Sequence, residues 1–366
     1  MQQSISLTNE YYIVITNNCN MNCKYCIGND IIYGNHPTSN LAIDDLKSIC
    51  QFINEENDIN PHDINIVFYG GEPLLDQQAI KYIINNTREI KANYLLYTNG
   101  ILLDSIDKTI RNKLRVILVS FDGVEELHNK YRMQGSFKLI KDQVNNFKKN
   151  YNGTLIGRIT FMPDSNIYLA VKNSLKTFDA VYWQMASIQN DLIDNQYIAY
   201  QDGLKKLIYE WIRNIKKGIV DQIIPFQSII SSIIKGENTE KLKCGCGSTL
   251  KVINFNGDIY LCDEMIRMNE GKIGSIYSGI KKPETYMYEI DKCKNCEVNK
   301  YCGGRCLFMH QYYNNKKIEY YCSNTKFLIT ELLKNVKSIE KCISENIISF
   351  DQLDNFYSRN CTECIP

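Results

Sequence analysis

The sequence predicts an α/β fold: six parallel strands, each followed by a helix, in a sheet that is open or curled as a partial barrel. Three observations carry this. Short apolar runs alternate with amphipathic segments from residue 11 to about 187. Four of the runs end in polar or glycine-rich clusters. From Cys244 onward the alternation stops and cysteines dominate.

Taken in order, "YYIVIT" (11–16) reads as a strand leading into a loop with Cys19, Cys23 and Cys26. "LAIDDLKSICQFINEE" (41–56) has helical spacing, and "INIVFYGG" (64–71) is a buried strand closed by glycines. A helix over 74–90 precedes the strand "NYLLYTNG" (93–100). The strands "VILVSFDG" (116–123), "LIGRITFM" (155–162) and "AVYWQMA" (180–186) follow, with helices between them. In α/β barrels and open parallel sheets, ligands sit at the carboxyl ends of strands. The cysteine loop, "GGEP", "TNG" and "SFDG" should therefore meet at one mouth. Residues 197–235 look helical. In "LKVINFNGDIYLCDEM", Asn256-Gly257 between apolar runs signals a type I′ hairpin. A helix over about 323–345 and a tail ending "CTECIP" complete the chain.

The composition sets bounds. The chain has 366 residues, 44% of them hydrophobic and 23% charged, as in a globular protein with a real core. Its net charge of +1 gives no general attraction to nucleic acid or anionic lipid. No run approaches the roughly 18 apolar residues of a membrane span. The first residues show no secretory signal, so a cytoplasmic location is expected. Fifteen cysteines in such a chain suggest metal more than disulfides.

Three thiolates within eight positions, with no fourth, imply a metal site left open at one corner; a zinc loop with a distant fourth ligand is the alternative. The CxxxCxxC spacing, with Tyr25 before the last cysteine, resembles the radical S-adenosylmethionine (SAM) superfamily. The order of the following motifs agrees: Gly70, Gly71, Glu72 and Pro73; then Thr98 and Asn99 in "YTNG"; then Ser120, Asp122, His128 and Arg132 in "SFDGVEELHNKYR". The resemblance covers residues 11–187 and implies a partial (β/α)6 TIM barrel. It further implies a [4Fe–4S] cluster on Cys19, Cys23 and Cys26, whose free iron takes the amino and carboxylate groups of SAM. Reduction of that cluster would cleave SAM to methionine and a 5′-deoxyadenosyl radical. Glu72 is the natural acceptor for the SAM ammonium, and the glycines let backbone approach the ligand. Ser120 would face the ribose; Arg132 is a candidate for the carboxylate or for structure, and Arg158 competes for the carboxylate.

The second half reads Cys246, ten residues, Gly257, four residues, Cys262, then "CKNCEVNKYCGGRC" and Cys322. This resembles the SPASM extension of radical SAM enzymes, which implies two auxiliary [4Fe–4S] clusters. One would use Cys262, Cys306 and one or both of Cys244 and Cys246; the other Cys293, Cys296, Cys302 and Cys322. A pair of zinc knuckles is the alternative. The division expected is a core over 1–187, a helical bridge over 188–243, the SPASM region over 244–322, and a helix with a cysteine-containing tail over 323–366.

Asp263, directly after Cys262, matches an aspartate proposed as the base in anaerobic sulfatase-maturating enzymes, and a turn-capping role is the alternative. Cys361 and Cys364 could ligate a cluster, donate a hydrogen atom or proton, or do neither. Cys50 and Cys342 read as core residues, and His36, His62 and His310 as structural. The resemblance implies an enzyme that modifies a peptide or protein, for example by a thioether or other crosslink, with a flavodoxin- or ferredoxin-type electron donor. "YCGGRCLF" and "CTECIP" look closer to a branch of archaeal peptide-modifying enzymes. Formation of formylglycine from Cys or Ser on a sulfatase is the alternative, against which Tyr69 stands where those enzymes carry glutamine. A non-catalytic iron–sulfur carrier is the remote one. With the first strand starting at residue 11, the substrate is expected in the mouth itself, along 188–243, at an exposed strand edge such as the hairpin near 251–261, or through a partner.

Overall fold

The computed structural model describes residues 9–26, 41–59, 64–186, 194–237, 242–266, 268–281, 290–354 and 365–366. His36, His62, Cys361 and Cys364 lie outside these. Six strands run in parallel: β1 (Asn9–Thr16), β2 (Ile64–Gly70), β3 (Ala92–Thr98), β4 (Leu114–Ser120), β5 (Thr154–Phe161) and β6 (Ala180–Met185). Their near-continuous apolar runs follow from burial on both faces, as helices cover a parallel sheet. Ile13, Val67, Leu95, Ile117 and Ile156 are all fully buried. Register is set at the strand starts by a polar ladder. Asn65 donates to Glu10 at 2.9 Å, Asn93 to Asn65 at 3.1 Å, and Arg115 to Asn93 at 2.8 Å.

The second half does not form a separate sheet. The strands β7 (Leu250–Ile253), β8 (Asp258–Tyr260), β9 (Lys272–Ser275) and β10 (Gly279–Ile280) extend the first one, in the order β10-β9-β8-β7-β1-β2-β3-β4-β5-β6. The joint is a parallel pairing of β1 with β7, Glu10 to Ile13 against Leu250 to Ile253. Two expectations are corrected here. The hairpin over 251–261 offers no free edge, because β7 lies between β1 and β8, and β8 between β7 and β9. Its turn is also not type I′, which needs positive φ at both central residues. Only Gly257 has it (φ 79°), and the Gly257 N–H donates to the Asn254 carbonyl, so a type I turn closes on a left-handed glycine.

The sheet is curled. Arg158 on β5 and Asp263 just after β8 stand six strands apart in the sheet order, about 29 Å if flat at ~4.8 Å per strand. They nonetheless lie close enough for Asp263 to act electrostatically on Arg158. The helices Asp194–Ile215 and Ile224–Ile234 bridge the halves. The last part carries the helices Asn315–Leu333 and Val336–Ser344, the first starting earlier than expected and carrying Cys322. Cys50 and Cys342 are buried in the core, each 4% exposed.

Candidate functional site

The cysteine loop leaves β1 and is fastened on three sides. On the β2 side, the Gly71 N–H donates to the Thr16 carbonyl at 2.9 Å and the Glu72 N–H to the Asn18 carbonyl at 2.8 Å. This approach explains the two glycines. A Cβ at Gly70 would stand 2.4 Å from the Thr16 oxygen, and one at Gly71 would stand 2.2 Å from the Asn18 oxygen. What these glycines admit is the backbone of the cysteine loop.

On the β3 side, Asn99 Nδ2 donates to Asn20 Oδ1 at 2.6 Å and lies 3.7 Å from Cys19 Sγ. Asn99 is itself held by Glu72, which is fully buried. The Glu72 carboxylate accepts from Asn99 N (2.7 Å), Leu74 N (3.0 Å) and Thr98 Oγ1 (2.9 and 3.0 Å). Burial outweighs these bonds and pushes its acid up to about 7. Glu72 thus braces the ends of β2 and β3, with both oxygens engaged.

On the β4 side, Lys24 N donates to the Tyr131 carbonyl at 2.8 Å, and the Tyr25 hydroxyl to Asp122 Oδ2 at 2.8 Å. Arg132 meets Asp122 through two bonds, 2.9 and 3.0 Å, and stacks over the Tyr25 ring with 5.2 Å to its centroid. Burial alone would raise the Asp122 acid, but the Arg132 charge and bonds hold it below its usual value. Arg132 also acts on Cys23. In this structure its guanidinium is committed to Asp122. His128 is buried and keeps the turn in shape. Its Nδ1 accepts the Asp122 N–H at 3.2 Å, which leaves Nε2 to donate to Ser136 Oγ at 3.0 Å. Burial and then the Arg132 charge lower its pKa to about 3, so it is neutral.

Arg158 sits elsewhere in the mouth. Its guanidinium lies over Tyr97, 5.4 Å from the ring centroid, and donates to Gln184, near Tyr69, Tyr182 and Asp263. Ser120, the last residue of β4, pairs in register with Arg158. Beside Asp263 stands Glu264, which the motif reading passed over. Burial first and the Asp263 charge second push its acid up to about 8. Only its folded environment marks it, so no motif could have.

The remaining cysteines gather in two places. The Cys246 and Cys262 thiols share a hydrogen bond, and Cys244 and Cys306 act on this pair. Cys293, Cys296, Cys302 and Cys322 line a cavity of about 260 Å³. Among the described residues, no three His, Cys, Asp or Glu side chains converge as one metal ion requires. Four thiols around a cavity suit a cluster with volume better than a single zinc. Burial raises Cys293 and Cys302 to about 11 and Cys306 to about 12, and lifts Cys322 as well. Metal loading must therefore displace protons. No helix of the described residues is long and apolar enough to cross a membrane.

Comparison with known proteins gives this geometry a context. Residues 13–167 match the model of the Radical SAM superfamily. The cysteine-type anaerobic sulfatase-maturating enzyme of Clostridium novyi is 26% identical over 321 residues, covering 80% of this chain and 85% of that one. The radical SAM cyclopropyl synthase TigE of Paramaledivibacter caminithermalis is 26% identical over 377 residues, 89% and 74% of the two chains. The solved structure of native anSMEcpe with bound AdoMet and Cp18Cys peptide shares the fold, with a TM-score of 0.69 at 19% identity over 92% of this chain and 99% of that chain.

Proposed function

We propose, from the radical SAM domain that residues 13–167 form, that this protein is a SAM-cleaving enzyme that modifies a residue of a peptide or protein. Relatives named for sulfatase maturation and for cyclopropyl synthesis support an enzyme of this broad kind. The observation that carries the reading is the fastening of the three-cysteine loop, at β2, β3 and β4, to the mouth that Asp263 also borders.

Cys19, Cys23 and Cys26 would hold a [4Fe–4S] cluster, which when bound and reduced supplies the electron for SAM cleavage and so the radical that takes hydrogen from the substrate. The chain's own residues position the partners. Asn99 orients Asn20 and Cys19, and Tyr25, Asp122 and Arg132 hold the Cys23–Cys26 side. Gly70, Gly71, Glu72 and Pro73 shape the rim where SAM would lie, with Thr98 and Ser120 at the neighbouring strand ends. Tyr69, Tyr97, Arg158 and Gln184 line the wall a substrate would face. Asp263 would accept a proton from a substrate thiol or hydroxyl. Two auxiliary clusters, one on Cys262, Cys306 and one or both of Cys244 and Cys246, the other on Cys293, Cys296, Cys302 and Cys322, and a flavodoxin- or ferredoxin-type electron donor complete the proposal.

Anaerobic incubation of the iron-loaded, reduced protein with SAM tests it: 5′-deoxyadenosine is the expected product, and its absence from a fully loaded sample would leave the carrier reading. Formylglycine formation is the second reading, favoured by the likeness to the sulfatase-maturating enzyme. An aldehyde trapped in a sulfatase-type peptide would select it.

A further inference from the structure

Between Cys302 and Cys306 the backbone takes three successive left-handed residues, Gly303 (φ 66°), Gly304 (φ 92°) and Arg305 (φ 62°). Two glycines there are unremarkable, since without a Cβ they adopt such angles freely. An arginine is not: a long side chain at positive φ is strained, and such strain persists where the surroundings impose it. The strain places a guanidinium at one spot. It lines the cavity of Cys293, Cys296, Cys302 and Cys322, lies 4.5 Å from the Tyr321 ring centroid, and donates to Met309 Sδ at 3.3 Å and to a terminal oxygen of Pro366 at 3.4 Å. Its charge bears on Cys302 and Cys322 of one group and on Cys306 of the other. No Asp or Glu side chain of the described residues pairs with it; the acceptor at 3.4 Å is a terminal oxygen of Pro366, the last residue of the chain.

We propose that Arg305 is the shared counter-charge of the two auxiliary iron–sulfur clusters, raising the reduction potential of both. This rests on the reading that the eight cysteines hold two clusters. Each reduction adds negative charge to a cluster, and a fixed cation nearby stabilises the reduced form over the oxidised one. Lys292 and Lys326 line the same cavity, but Lys292 is bonded to Asn315 at 2.7 Å, and it is Arg305 whose field reaches thiols of both groups.

The test is an anaerobic redox titration of the loaded holoenzyme, followed by electron paramagnetic resonance, for the wild type and Arg305→Gly, Arg305→Gln and Arg305→Lys. Glycine suits φ 62° better than arginine does, so the glycine variant removes the charge without disturbing the turn. Both auxiliary midpoints should fall in the Gly and Gln variants by at least a tenfold change in the reduction equilibrium, about 59 mV for one electron. Lysine should retain most of the wild-type value. The cluster whose signal responds to added SAM should stay put in all three. Wild-type potentials in the Gly variant would overturn the inference. A wild-type iron content of about four per chain, where three clusters need about twelve, would instead overturn the reading beneath it.

Discussion

The Glu72 carboxylate accepts the Asn99 backbone N–H at 2.7 Å, and Asn99 in turn reaches Asn20 and the Cys19 sulfur. A buried acid on one strand end thereby sets the place of a thiol on another. Removing it leaves the Asn99 and Leu74 N–H groups without their acceptor. Glu72→Ala should cost about 2–3 kcal/mol of stability in urea denaturation, and Glu72→Gln, which keeps one acceptor oxygen, roughly half as much. Both should lower the iron content of the first cluster.

Gly71→Ala should injure the same loop by another route. The new methyl meets backbone oxygens of Asn18 and Asn17 at 2.2 and 2.9 Å, and backbone cannot swing aside as a side chain can. A penalty of about 1–3 kcal/mol is expected. Far-ultraviolet circular dichroism should stay unchanged while bound iron falls.

Arg132 and Asp122 form a buried pair, with side chains 5% and 6% exposed. Breaking one side leaves a charge buried without its partner. Arg132→Gln should therefore cost about 3–5 kcal/mol. Adding Asp122→Asn should recover part of that loss, a non-additivity that a double-mutant cycle reads directly.

Two buried groups give opposite pH dependences. Glu72 has a folded pKa of about 7 against 4.5 unfolded, so between these values the native state binds more protons and stability falls as pH rises. His128 has about 3 against 6.5, so the unfolded state binds more protons and stability rises with pH across that window. From pH 4.5 to 6.5 the two oppose each other. Subtracting Glu72→Gln denaturation curves from those of the wild type between pH 4 and 8 should isolate a contribution that declines from 4.5 to 7. A flat difference would count against the raised acid.

Cys302 and Cys306, four positions apart, face different thiol groups. Cys302→Ala should impair one auxiliary cluster and Cys306→Ala the other. Combining Cys302→Ala with Cys322→Ala should therefore remove little more iron than either alone. Combining it with Cys306→Ala should remove close to the sum. Iron analysis and Mössbauer spectra of the three single and two double variants decide.

Much of this architecture was legible in advance. Each parallel strand writes its own buried run, four of the six end in their own motif, and cysteine spacing is a local property, so β1 to β6 and the cysteine sets were readable along the chain. Partnerships between distant segments were not. Arg132 read as a candidate for the SAM carboxylate or for structure, and its pairing with Asp122 depends on how the turn after β4 folds back beneath Tyr25. Gly70 and Gly71 read as making room for a ligand, whereas the backbone that approaches them belongs to β1 and its loop. Glu264 and Arg305 carry no motif at all. One is marked by its burial beside Asp263, the other by its backbone angle and the thiols around it.

By itself, then, the sequence determined the parallel α/β core, the order of its mouth-forming motifs and the number and spacing of candidate thiols, because these follow from periodicity and from residue chemistry over short stretches. Tertiary structure alone decided that the second half continues the first sheet through β1 and β7, which cations are committed, and which cysteines share a neighbourhood. Those outcomes depend on distances between residues far apart in the chain. Packing sets such distances, and no local pattern encodes them.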